Sequence, residues 1–188
     1  MKEQFAGSHE EGTSQILIEA LDRYEATDLG DLCDATESTL EDNRLSFSIG
    51  MDRTEAPARQ KLEAYWKGVL LVPERKLIVG RLDTTIASSI QLVKPAPSNQ
   101  TSAFAGFLDH HFVAPWARGF GLAKGLIEKA EEEAKKENLS VLRLSVRANL
   151  DPAIAMYESV GYKRWGTLDQ YELVDGQMLA GHFYVKEL

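Results

Sequence analysis

The sequence predicts an α/β (α+β) fold in one domain, with a mixed, mainly antiparallel central sheet flanked by helices. Three observations carry this. Apolar runs of strand length alternate with stretches of helical spacing along the chain. Two turn signals, Asp83-Thr84 and Asp175-Gly176, join neighbouring strands as hairpins. One strongly amphipathic stretch, Gly121 to Asn138, follows a strand through a glycine-containing turn. The predicted order is β-α-α-β-β-β-α-β-α-β-β.

Residues 1–13 (MKEQFAGSHEEGT) read as a flexible N-terminal leader, and residues 14–188 as the single domain. Gln15 to Leu21 is apolar enough for a first strand. Ala26 to Glu41 carries Leu29, Leu32, Cys33, Thr36 and Leu40 at helical spacing, with Asp28 as the expected cap. A loop over Asn43 to Asp52 holds Phe47 and Met51. Ala56 to Leu70 is a second helix entered through Pro57, with Leu62, Tyr65, Trp66 and Val69 on one face and Pro73 beyond its end. Lys76 to Asp83 and Thr85 to Val93 form the first hairpin. Residues 94–100 are a turn, and Ala103 to Val113 is the fourth strand.

The helix from Gly121 has Leu122, Leu126, Ile127, Ala130 and Ala134 as its buried stripe. Glu128, Glu131, Glu132, Glu133, Lys135 and Lys136 form its solvated face. Val141 to Arg147 alternates and is the fifth strand. Asp151 to Val160 is a short helix, with Asp151 as cap and Pro152 at its first position. Tyr162 to Leu173 is a strand interrupted near Gly166, and Met178 to Val185 returns as the last strand.

Composition narrows the function classes. Of 188 residues, 44% are hydrophobic and 27% charged, as in ordinary soluble globular proteins. A formal net charge of -8 argues against nucleic acid and favours a cationic or neutral substrate. The single cysteine, Cys33, allows no disulfide within the chain and no cysteine–histidine metal cluster, so no metal is expected. The leader has no apolar core and no run approaches a membrane span, which makes the cytoplasm the expected location.

The chemistry concentrates in Val113 to Leu126 (VAPWARGFGLAKGL). Gly119 and Gly121 remove the side chains that would keep a ligand off the backbone. The first free N–H groups of the following helix point outward from its positive end, a recipe for holding a pyrophosphate. A tight turn with nothing bound uses the same residues. Arg118-x-x-Gly121-x-Ala123 resembles the R/Q-x-x-G-x-G/A signature of the GNAT family of N-acetyltransferases. Further on, Asn149-x-x-x-Ala153-x-x-x-Tyr157-x-x-x-Gly161-Tyr162 resembles that family's A-x-x-L-Y-x-x-x-G-F motif, with Met156 for the Leu and Tyr162 for the Phe. The two motifs occur in family order and spacing.

The resemblance implies acetyl-CoA as co-substrate and direct transfer of the acetyl group to an amine of a small molecule or protein. In the family, the fourth and fifth strands splay and the pantetheine arm lies between them. Here that places it beside Phe112 and Val113. The pyrophosphate then sits on the N–H groups of Arg118, Gly119, Phe120, Gly121, Leu122, Ala123 and Lys124. Lys124 as a solvated helix residue, and Asn149 as a cap rather than a pantetheine contact, remain open. Tyr157 matches the family tyrosine near the coenzyme sulfur, placed to protonate the departing thiolate.

For the base, Asp109, His110 and His111 lie on the fourth strand where the family often carries one. Alternation puts Asp109 and His111 on one face and His110 on the other, and a histidine titrates in the useful range. Asp109 and His111 are the catalytic candidates beside Tyr157. Phe47, Trp66, Trp116 and His182 are the candidates for the acceptor pocket, with Met51, Tyr171 and Phe183 behind them. A non-catalytic acyl-CoA sensor and an O-acyltransferase are the alternative readings. The aromatic last hairpin, Trp165 to Val185, suggests a homodimer through an exposed sheet edge.

Overall fold

A computed structural model of the chain describes residues 14–45, 47, 49 and 59–188. The elements are β1 Ile16–Leu21, α1 Asp28–Asp42, α2 Arg59–Leu71, β2 Arg75–Leu82, β3 Thr85–Val93 and β4 Ala105–Val113. They continue with α3 Leu122–Lys136, β5 Val141–Arg147, α4 Asp151–Ser159, β6 Lys163–Val174 and β7 Gln177–Glu187. The element order is the predicted one. The expected leader, Met51 and the Pro57 helix entry lie outside the described residues.

The strands form one sheet in the order β1-β2-β3-β4-β5-β7-β6. Every pairing is antiparallel except that of β4 with β5, which is parallel. Alternation in the strands divides the core between two faces. Ile78, Ile90, Leu92, Leu108, Leu142 and Leu144 point toward α3 and α4. Leu77, Val79, Ile86 and Phe112 point toward α1 and α2. The predicted stripe of α3 is buried as expected, from Leu122 at 1% exposure to Leu126, Ile127, Ala130 and Ala134 at 0%.

Three local expectations are corrected. Asp28 is the first helical residue of α1 and not its cap; the cap position is Thr27, with no side-chain cap bond. The Asp28 carboxylate instead accepts from the Glu25 N–H and from Arg81. Asp151 likewise begins α4, and Leu150 before it makes no side-chain cap. Glu133 is not on a solvated face: it is buried beneath Lys76, Lys129 and Lys136.

Two features of the sheet create the site. β4 and β5 pair only where Ala105, Gly106 and Phe107 meet Val141, Leu142 and Arg143. Beyond Phe107 the strands part, so the β5-facing edge of the rest of β4 has no strand partner. On its other edge, β4 pairs Phe112 with Ser89 and Asp109 with Gln91. His110 and His111 therefore oppose the single residue Ile90, which is a β-bulge. His110 takes a left-handed backbone there, with φ of 48°.

Candidate active site

The parting of β4 from β5 opens a cleft of about 140 Å³. Its lining includes Leu108 to His111 of β4, Ser145 to Arg147 of β5, Tyr157 of α4, Tyr171 and Glu172 of β6, and Phe47.

The bulge decides which way the β4 side chains face. Uninterrupted alternation would put Asp109 and His111 together. The structure separates them. His111 turns toward α4, where its Nδ1 lies 2.8 Å from the Tyr157 hydroxyl. Asp109 and His110 both turn toward α2. The Asp109 carboxylate stands 3.4 Å from Arg75, which also binds Gln91, and the His110 ring lies 5.7 Å from that of Tyr65. The expected Asp109–His111 face is thus corrected to an Asp109–His110 face, because the extra residue shifts the alternation by one.

The electrostatics follow these positions. Burial drives the His111 imidazole down to about 4, against a weaker opposing pull from the backbone of Ala123. Burial also pushes the Tyr157 phenol well above its ordinary range. Both groups are neutral around pH 7. Burial raises the Asp109 carboxyl, but His110 and Arg75 outweigh it and hold the group below the usual carboxylate range.

At the end of β4 the chain makes a short 3-10 turn, Pro115–Ala117, and enters the glycine loop. Gly119 and Gly121 have φ of 87° and 84°, and a Cβ on either would meet nothing within 4 Å. Left-handed backbone alone favours glycine at both; the open space beside them exposes the backbone. Gly121 is the N-cap of α3, whose first turn holds no acidic residue. Among the described residues, the N–H groups of Gly119 to Lys124 have no backbone acceptor outside the helix. Leu122 is buried against Ala87 and Ala117 and anchors the loop to the sheet. Phe120 is exposed, and Ala123 approaches His111 from α3.

The remaining candidates fall into place or out of it. Phe47 lines the cleft and packs on Phe112 at 4.9 Å. Val113 is half-buried beside the glycine loop. Arg118 already has an anion partner, Asp42 at 2.9 Å. Lys124 is exposed and stands 3.7 Å from Glu128 one turn along, as a solvated helix residue would. Asn149 is exposed in the turn between β5 and α4, outside the cleft lining and not a cap.

The structure does not bring three of the acceptor-pocket candidates, Trp66, Trp116 and His182, into this cleft. Trp66 is fully buried, with its indole N–H donated to the Thr36 hydroxyl, and is a core residue between α1 and α2. Trp116 is 47% exposed on the 3-10 turn and does not line the cleft. His182 pairs with Val146 on the α4-facing side of the sheet, held by Thr167 and Arg164.

The structure supplies two cleft residues that sequence reasoning did not assign to the site, Arg147 and Ser145, and brings Tyr171, an expected pocket residue, beside them. Arg147 is buried in the cleft wall, donating to Glu172 at 2.6 Å and to the Leu45 carbonyl at 2.9 Å. It thereby ties the chain just beyond α1 to β6. Tyr171 places its hydroxyl 2.6 Å from Ser145, while Phe183 stacks edge-on against its ring. Alternation in Val141 to Arg147 was the available signal for Ser145 and Arg147, since it puts both on the face opposite the apolar residues. Among the described residues, no group of three or more His, Cys, Asp or Glu is placed to hold a metal ion. No described helix is long and apolar enough to cross a membrane.

A parted pair of parallel strands, a glycine loop leading into a helix and a tyrosine on the next helix together define an acyltransferase architecture. The sequence model of the acetyltransferase (GNAT) family matches residues 37–162. The chain is 48% identical over 134 residues to an uncharacterized N-acetyltransferase in the hisH-hisA intergenic region of Azospirillum brasilense, covering 71% of this chain and 77% of that protein. This protein belongs to the GNAT family and is an acyltransferase.

Solved structures share the fold at low identity. A ribosomal-protein-alanine N-acetyltransferase from Brucella melitensis superposes with a TM-score of 0.72 at 20% identity, over 92% of this chain and 99% of that one. The ribosomal L7/L12 α-N-protein acetyltransferase RimL, in complex with coenzyme A, gives 0.76 at 12% identity, over 91% and 94%. A putative acetyltransferase from Salmonella typhimurium with its cofactor acetyl-CoA gives 0.68 at 14% identity, over 92% and 93%.

Proposed function

We propose that this chain transfers an acetyl group directly from acetyl-CoA to an amine of a small molecule or a protein. The observation that carries the reading is the parting of β4 from β5 with the glycine loop at its end. An extended pantetheine arm has the shape and the amide groups to occupy that gap as a strand would, bonding to the free edge beside Phe112 and Val113. The helix dipole and the N–H groups of Gly119 to Lys124 suit the pyrophosphate. The structures solved with coenzyme A and acetyl-CoA share this fold.

The protein's own groups supply what the transfer needs. A β4 backbone N–H facing the gap donates to the oxyanion as the thioester carbonyl becomes tetrahedral. Tyr157 stands in the cleft wall. Its raised pKa keeps it protonated, and also makes it a weaker acid than an ordinary thiol. Its useful act is therefore to donate a hydrogen bond to the sulfur while negative charge develops, with the proton following as the adduct loses its own.

Calorimetric titration with coenzyme A, followed by an amine screen with acetyl-CoA read by thiol release, tests the reading. Micromolar binding and turnover of at least one amine are expected; absence of either overturns it. The reading extends to a homodimer through β6, an edge strand on which Trp165 and Leu168 are 66% and 49% exposed. A monomer mass by light scattering at micromolar concentration removes that part.

A further inference from the structure

We propose that His110 is the base that takes the proton from the acceptor amine, and that Asp109 positions its ring. The proposal rests on the acetyl-transfer reading above and deepens it.

The bulge turns His110 out of the alternation and onto the side of the sheet that faces α2, opposite Tyr157. A non-glycine residue with φ of 48° costs roughly 1–3 kcal/mol, and such outliers gather at functional sites. Its neighbours hold the arrangement in place. The Asp109 carboxylate accepts the His110 backbone N–H at 2.9 Å and lies 2.9 Å from the ring Nδ1. Arg75 steadies the same carboxylate and binds Gln91, which donates to the Tyr65 hydroxyl beside the ring. Nδ1 stands at contact distance from the carboxylate but off the line of a hydrogen bond, and a carboxylate at that distance favours the tautomer with its hydrogen on Nδ1. Nε2 then keeps its lone pair for the cleft, which His110 lines.

The other titratable groups of the cleft are engaged. His111 bonds to Tyr157, on the thiolate side. Glu172 is held by Arg147 at 2.6 Å. Asp109 is shared between Arg75 and His110. Tyr65 is pushed up to about 12 by burial and does not ionise near neutral pH. Tyr171 is raised by burial in the same sense. Among the described residues of the cleft, His110 alone presents a basic atom to the acceptor side.

The proton inventory closes. The acceptor ammonium gives one proton to His110 Nε2, and its freed lone pair forms the N–C bond to the thioester carbonyl. The adduct expels sulfur as the C–S bond breaks, and the sulfur takes a proton through Tyr157. The adduct nitrogen loses its second proton and restores the one Tyr157 gave. The proton on His110 leaves to solvent as the net product.

The test compares wild type with His110→Gln and Asp109→Asn, using acetyl-CoA with alkyl and aryl amine probes. Coenzyme A affinity, read by calorimetry, should be unchanged in both variants. With a probe that is an ammonium at pH 7, kcat/KM for His110→Gln should fall roughly 10²-fold. The deficit should shrink toward pH 10, where the amine loses its own proton. An aniline probe, already neutral at pH 7, should show a much smaller loss. Asp109→Asn should lower kcat/KM for the ammonium probe while leaving the aniline probe nearly unchanged, a split that a purely structural role would not produce. Imidazole ¹⁵N spectra should show wild-type His110 with Nδ1 protonated. If wild type turns over ammonium probes and His110→Gln stays within threefold at pH 7, the base is elsewhere and the transfer reading survives. If wild type binds coenzyme A but turns over no amine, the transfer reading fails and this proposal fails with it.

Discussion

His111 Nδ1 and the Tyr157 hydroxyl stand 2.8 Å apart, joining the bulge of β4 to α4 at the wall of the cleft. Burial sets the state of both partners, taking the imidazole down to about 4 and the phenol up. The pair is therefore uncharged near neutral pH. When Nδ1 carries the hydrogen, the imidazole donates to the phenol oxygen and the phenol proton is free to point into the cleft. His111, expected as a base, is better suited to orienting Tyr157.

Replacing Tyr157 by Phe removes one oxygen and leaves the ring packed on Tyr162. Coenzyme A affinity should hold nearly constant while the turnover number drops by roughly 10²-fold, the usual range for a general acid. Turnover within about threefold of wild type, under 1 kcal/mol of barrier, would show that water protonates the thiolate instead.

What could be read from the residues alone depended on whether one local pattern decided the outcome. The α3 stripe, the two hairpins and the motifs around Gly121 and Tyr157 are local, and each stands where spacing put it. The bulge is not local. It arises because two β4 residues oppose Ile90 on the neighbouring strand, and nothing in Asp109-His110-His111 announces the mismatch. Trp66 and His182 lie away from the cleft for a different reason. An aromatic at half-buried spacing gives the same signal for core and site, and only Thr36, remote in sequence, reveals the core position of Trp66; His182 is partly exposed and is held by Thr167 across the last hairpin. Glu133 looked solvated because helical spacing cannot see Lys76 arriving from β2.

The glycine loop gives the second prediction. Asp is among the residues that tolerate the left-handed backbone of Gly121, so Gly121→Asp should fold. Its carboxylate would stand at the mouth of α3, against the coenzyme phosphates. Calorimetry should show coenzyme A affinity falling more than tenfold, over about 1.4 kcal/mol. Unchanged affinity in a folded variant would remove the phosphate cradle from this loop.

A third prediction concerns the acceptor side. A Cβ on Gly181 would come within 2.3 Å of the Tyr171 ring, so glycine there is what lets the ring lie against β7. Gly181→Ala should push Tyr171 out of place and break its 2.6 Å contact with Ser145. One hydrogen bond of about 1 kcal/mol corresponds to roughly a fivefold rise in acceptor KM. Coenzyme A affinity should not change, since the glycine loop is not part of the cleft lining to which Tyr171 belongs. Equal effects on both substrates would mean a general loosening of the sheet.

The last prediction uses Glu133, which is 7% exposed and lies within reach of Lys136 at 2.9 Å, Lys76 at 3.0 Å and Lys129 at 3.2 Å. The Lys136 contact above all, joined by Lys76 and Lys129 and opposed by burial, lowers its carboxyl from 4.5 to about 2. A folded-state pKa below the unfolded one means the unfolded chain binds more protons between those values, so stability rises with pH across the window. The contribution is complete above the unfolded pKa and is lost as pH falls through the folded one. Glu133→Gln should therefore cost about 2 kcal/mol at pH 7, the scale of hydrogen bonds to a charged group. By pH 3 that cost should shrink by roughly half or more. Urea unfolding of both proteins at the two pH values reads the difference, in which Asp28 and Asp109, remote from the substitution, cancel, while Glu132 and Glu137 contribute through the lysines they share with Glu133. A cost that is the same at pH 7 and pH 3 would mean the side chain stabilises α3 through packing alone, with the three lysines contributing nothing through charge.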